Sequence, residues 1–160
     1  MQHFREWVHH IVLVGAAVLA SLAPRVGLSL LALTSEFGAF TLAVLLGAAI
    51  AIAAGVLYGF WAHSQSLARV ALTSYGVSLV GSALGQLLSL AWDWREFGGG
   101  SFDAVVGLMI SNPSLAWFWL LSWPAIIGGC AVVVGRPLGA RRARRLQPSW
   151  DVAASGERPA

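Results

Sequence analysis

Lysine is absent and cysteine nearly so: the ten basic residues are all Arg, and Cys130 is the one thiol in 160 residues. A single cysteine excludes an internal disulfide, together with any Cys-pair redox or zinc site within one chain. Charge is also scarce, at 11% of residues, where an ordinary soluble domain carries about 25%. With 58% apolar residues and a mean hydropathy of +0.73, that scarcity excludes a water-soluble globular fold. Disorder is excluded too, because so much apolar surface does not stay solvated. The formal charge of +3 gathers near the C-terminus, so the pI near 10 describes one tail rather than a basic surface. Nucleic acid is therefore not an expected partner. A basic cluster beside an apolar segment is a topology signal that meets anionic lipid headgroups.

What is present is apolar sequence in lengths that matter. Crossing about 30 Å of hydrocarbon takes roughly 20 apolar helical residues; four stretches free of Asp, Glu and Arg supply their bodies, and the spans are expected at approximately 8–23, 38–62, 69–92 and 114–135. The expected architecture is an all-α integral membrane protein, a four-transmembrane-helix bundle with short loops. Residues 1–135 form the membrane domain and residues 136–160 a basic, Arg-rich cytoplasmic tail, disordered beyond Arg145. The first segment resembles a signal peptide in its small triplet Ser21-Leu22-Ala23. Pro24 would follow the cut directly and disfavours cleavage, so a retained helix is expected. The stretch from Pro24 to Glu36 is too apolar for a free loop; it either lies along the outer interface or extends a kinked first helix. Gly98-Gly99-Gly100 marks a mobile tip in the outer loop from Asp93 to Asp103.

Arginine sets the expected orientation. With the N-terminus inside, Arg5, Arg69, Arg136, Arg141, Arg142, Arg144, Arg145 and Arg158 face the cytoplasm, and Arg25 and Arg95 face out. That asymmetry places both termini in the cytoplasm of a cell membrane. Trp7 and Trp61 then fall at the inner interface, and Trp92, Trp94, Trp117 and Trp119 at the outer one, where an apolar ring with one polar N–H belongs.

Ionisable residues are missing from the middle of every expected span; Glu36, His63, Arg69, Asp93 and Asp103 all fall at span ends. Their absence argues against proton-coupled transport, ion pumping and voltage sensing. No serine-histidine-acid arrangement and no phosphate-binding glycine loop is present, so neither a catalytic role nor a catalytic residue is expected. His9 and His10 open the first helix and His63 closes the second, which brings all three to the inner surface. They are the candidate ligands for a haem or metal site, weighed against histidine as an ordinary interfacial residue. No cofactor is expected.

The third span carries the most ordered polar pattern, Ser74, Ser78, Ser82 and Ser89 with Gly81 and Gly85, at steps of three and four. Such a face either packs against a neighbouring helix or lines a polar pathway; small residues that let backbones approach favour packing. The expected partner is the second span, around Ala51, Gly55 and Gly59, with Ser78 and Ser82 bonding locally or across the seam. Pro124 bends the fourth span. The expected function is a small non-catalytic multi-pass protein, a subunit of a membrane complex or a homo-oligomer. It is held by the packing residues Gly55, Gly59, Ser78, Gly81, Ser82 and Gly85, with Arg136, Arg141, Arg142, Arg144 and Arg145 on lipid. The alternatives are a pore or carrier for a small uncharged solute, holin-like pores included, and a haem- or metal-binding redox subunit.

Overall fold

A computed structural model describes residues 2–34, 37–97, 111 and 113–146. They form helix α1 (Gln2–Thr34), α2 (Phe37–Trp61), α3 (Leu67–Phe97) and a fourth helix in three parts: α4 (Pro113–Cys130), a π-helical turn (Ala131–Gly135) and α5 (Arg136–Leu146). In hydrocarbon a backbone N–H or C=O finds no water, so each apolar segment satisfies its own groups as a helix. Four helices are long and apolar enough to cross a membrane: Trp7–Gly27, Gly38–Trp61, Leu67–Trp92 and Leu120–Arg145. The chain is an all-α, multi-pass membrane protein. Along the spans many exposed large side chains are apolar, Leu42, Leu72 and Val133 among them, as a surface that faces acyl chains requires.

The first helix settles the stretch after Pro24: α1 runs through the proline to Thr34. Pro24 has no N–H, so the Ala20 carbonyl loses its usual donor. Gly47 of α2 lies against that carbonyl; a Cβ built there would sit 3.2 Å from the Ala20 oxygen and 2.7 Å from the Ala23 Cβ. The short connection from α2 to α3 is turned by Gln65 N–H donating to the Ala62 carbonyl. It is then capped by the Ser66 hydroxyl, which accepts from Arg69 N–H at 3.3 Å. The glycine triplet 98–100, the stretch 101–110 and the tail 147–160 lie outside the described residues, as do the side chains of Trp94 and Trp119.

Around the bundle the neighbours run α1, α2, fourth helix, α3, and back to α1; α2 and α3 are diagonal and barely touch. The expected seam between the third and second spans is therefore not the one that forms. Gly81 packs on α1, where a Cβ would lie 2.6 Å from the Val14 carbonyl oxygen and 2.7 Å from the Ala17 Cβ. Gly85 packs one turn further along α1, 2.7 Å from the Ser21 Cβ. Gly55 and Gly59 of α2 face the backbone carbonyls of Ile127 and Ala131 on the fourth helix, so closely that no Cβ fits. Gly135 and Gly139 return the contact against the carbonyls of Val56 and Phe60. The pairing rises in step along both chains, so α1 with α3 and α2 with the fourth helix are parallel pairs. A spacing of four residues on a helix marks a face without naming the neighbour it meets, and adjacency in sequence named the wrong one.

The fourth helix continues past Gly135, beyond the span end expected at 135, and carries Arg136 to Arg145 as helix. The π turn explains how it passes Pro137. Arg136 N–H reaches back five residues to the Ala131 carbonyl, widening the turn just before a residue that has no N–H to give. The same wide turn carries Gly135 onto α2.

Cross-linking separates the observed pairing from the expected one. In a Cys130→Ala background, Ser21→Cys with Ser82→Cys should form an intramolecular disulfide under mild oxidant, seen as a gel-mobility shift. Ala51→Cys with Ser82→Cys, which puts no new Cβ into the seams, should not. The reverse result would restore the second-to-third-helix seam.

Candidate functional site

At the end of the bundle where α1 starts and α2 finishes, aromatic rings and imidazoles interleave. The His9 ring stacks on Trp61 at a centroid distance of 4.2 Å and an interplanar angle of 16°. His10 tilts against Tyr58 at 6.2 Å. His63 Nδ1 lies 2.9 Å from the Phe60 carbonyl, and its Cβ abuts Gly139 of α5. A ring nitrogen bonded to a carbonyl donates its proton there, which leaves Nε2 as the remaining acceptor. The three histidines share one end of the bundle, as expected. However, each is engaged by a different neighbour, and no group of three His, Cys, Asp or Glu positioned to hold a metal occurs among the described residues.

The polar face of α3 points inward. Ser74, Ser78 and Ser82 are each fully buried. Ser74 donates to the Val70 carbonyl of its own helix at 2.6 Å, a local bond that costs no partner helix. The Ser21 hydroxyl of α1 donates to Ser82 at 3.1 Å, a side-chain bridge between α1 and α3. Ser78 differs from the expectation: its hydroxyl has no hydrogen-bond partner, and neither has the indole N–H of buried Trp123. Both lie in the interior of the bundle. Register places their Cα atoms at nearly one depth, since Gly128, five residues after Trp123, abuts Ser74 and Tyr75.

Arg25 lies elsewhere than the sequence suggested. Because α1 continues to Thr34, Arg25 falls inside the candidate span Trp7–Gly27 rather than in an outer loop. The contact of Gly27 with Phe40 and Ala43 sets it beside the first turns of α2. Its guanidinium donates to Ser29 at 2.9 Å, one helical turn on. A cation here sits in the membrane half away from the histidines, with its stem along the helix and its head toward the nearer interface.

Arginine crowds the opposite end. Arg136 Nε donates to the Gln65 carbonyl at 3.3 Å, tying α5 to the connection between α2 and α3. Arg142 lies over the Phe60 ring, 5.6 Å from its centroid. Arg141, Arg144 and Arg145 are exposed. Of the five arginines expected on lipid, two thus make protein contacts.

The packing residues missed in sequence are Gly135 and Gly139. Their signal was legible as a four-residue step continuing Ile127 and Ala131, but it fell across the point where arginine suggested that the span had ended. Ser21 was read only as a cleavage-like triplet, and nothing in its surroundings announced Ser82.

The seams carry different weights. Gly59→Leu or Gly81→Leu drives a side chain into backbone, and should lower stability by about 1–3 kcal/mol or more. Ser82→Ala removes one intramembrane hydrogen bond, about 0.6 kcal/mol. Ser78→Ala should have the opposite sign, since it removes a buried unbonded hydroxyl; we expect an unchanged or raised melting temperature in detergent. Leucine variants that melt with the wild type would show that the glycine contacts do not hold the bundle.

Compared with known proteins, the chain matches no protein-family model, no curated protein and no solved structure.

Proposed function

We propose that this is a small, non-catalytic protein of the cell membrane with both termini in the cytoplasm, serving as a subunit of a membrane complex or as a homo-oligomer. The observation that carries this reading is how the small and polar residues of the spans are used. Gly47, Gly55, Gly59, Gly81, Gly85, Gly135 and Gly139 all meet a neighbouring helix, and Ser21, Ser74 and Ser82 bond within the bundle. Residues spent on packing hold helices together and leave little to bind a transported solute. The absence of a catalytic serine arrangement or phosphate loop in the sequence supports the non-catalytic part.

The orientation rests on arginine. Arg25, its head turned toward the far interface, and Arg95 stand against eight arginines on the side assigned to both termini. Reporter fusions after residues 66, 98 and 160 should read inside, outside and inside; an external C-terminus would reverse the assignment.

One observation favours a second reading, a carrier or pore for a small uncharged solute. The buried Ser78 hydroxyl and Trp123 indole N–H have no partner, and a solute with a donor and an acceptor would satisfy both. Liposomes holding the purified chain decide between the two. The subunit reading predicts no flux of water-sized or polyol solutes above that of empty liposomes, and a defined partner or second copy retained in mild detergent. Flux that falls with Ser78→Ala would favour the carrier.

A further inference from the structure

The fourth helix has two faces at its arginine end. One, built from Ala131, Gly135 and Gly139, is buried against α2. The other is exposed and changes character along its length: Val133 at 73%, Val134 at 40% and Leu138 at 44% exposure are followed by exposed Arg141, Arg144 and Arg145. Within α5, at about 100° per residue, positions 138, 141, 142 and 145 share one side with 137 and 144 beside them, and exposed Val133 and Val134 stand on the π turn just before. The apolar and cationic groups are therefore stacked on a single side of one helix.

Depth fits the change. Gly139 abuts His63 at the end of α2, next to Trp61, a residue type that marks the membrane interface. Arg141 to Arg145 lie about 3–9 Å further along the helix axis, where the headgroup layer of each leaflet adds about 5–7 Å to the hydrocarbon. The span Leu120–Arg145 contains 26 residues, or about 39 Å of helix against about 30 Å of hydrocarbon, so its arginine end projects into the phosphates. The end is also fixed in rotation. Arg136 is tied to Gln65, and Arg142, itself exposed beside this face, rests on Phe60.

We propose that this face seats one anionic phospholipid, with an acyl chain along Val133, Val134 and Leu138 and the phosphate on Arg141, Arg144 and Arg145. Guanidinium groups bind phosphate oxygens in a planar, two-pronged geometry. The apolar stretch directly below selects a ligand that carries its charge at the end of a hydrocarbon chain, and neither a nucleic acid nor an acidic peptide does. The seat rests on the membrane-spanning bundle and not on which side the termini face, nor on the choice between subunit and carrier.

Native mass spectrometry of the full chain, purified in detergent and supplied with phosphatidylglycerol or phosphatidylcholine, tests the seat. The wild type should retain one phosphatidylglycerol per chain in preference to phosphatidylcholine. Arg141→Gln/Arg144→Gln/Arg145→Gln should lose that preference by on the order of 100-fold, the product of about fivefold per arginine. Arg95→Gln, at the other end of α3, should leave it unchanged. Helicity and melting of the triple variant are measured in parallel, and Arg144→Gln/Arg145→Gln replaces it should it fail to fold, with a loss of about 25-fold expected. Equal retention of the two lipids, retention unaffected by the variants, or displacement of the lipid by inorganic phosphate at equal concentration would each overturn the proposal. None of these outcomes bears on the reporter fusions or the flux assay.

Discussion

Lipid tails are as apolar as leucine, so hydrophobic burial cannot draw one helix to another inside a bilayer, and the bundle depends on backbone meeting backbone. Two parallel seams supply that contact. In one, Gly55 and Gly59 on α2 take the carbonyls of Ile127 and Ala131, and Gly135 and Gly139 take those of Val56 and Phe60. In the other, Gly81 and Gly85 close on Val14, Ala17 and Ser21. Dispersion acts over many such short contacts at once, each small in itself. The antiparallel joint between α1 and α2 uses the same device at Gly47 and Gly27.

The polar groups follow from that constraint. A serine brought close enough to a neighbouring helix can bridge it, as Ser21 does to Ser82, and a serine without a neighbour folds back on its own helix, as Ser74 does. Arg25 is held by Ser29 one turn away, and five of the other arginines stand on α5, past the apolar part of the fourth helix. The histidines belong to the aromatic collar at the end where α1 starts and α2 finishes, engaged with Trp61, Tyr58 and the Phe60 carbonyl.

Helix number and the membrane environment were legible because both depend on composition over some twenty residues at a time. Gly81-x-x-x-Gly85 and Gly55-x-x-x-Gly59 were legible as faces that pack, since spacing fixes which residues share a side. Which face met which was not legible: the seams join α1 to α3 and α2 to the fourth helix, and no local pattern carries that information. The fate of Pro24 was equally hidden. Its missing N–H is a local cost, and whether the helix ends or continues depends on the neighbour that covers the freed carbonyl, here Gly47. Ser78 and Trp123 show the same limit from the other side, because a hydroxyl on a polar face is satisfied only if the opposing helix offers a group to bond.

The connectivity has a consequence for biosynthesis. The second helix to leave the ribosome packs its Gly55 and Gly59 face on the last one to be made. Until residues 127–139 enter the bilayer, that face is a shallow trough of bare backbone that acyl chains fill poorly. α1 packs on α2 and α3 on either side of itself, so a chain of these three helices would have one open flank. Synthesis that stops short of the fourth helix therefore releases a chain whose unfilled trough a complete copy could fill only by withdrawing its own Gly135 and Gly139 edge from α2.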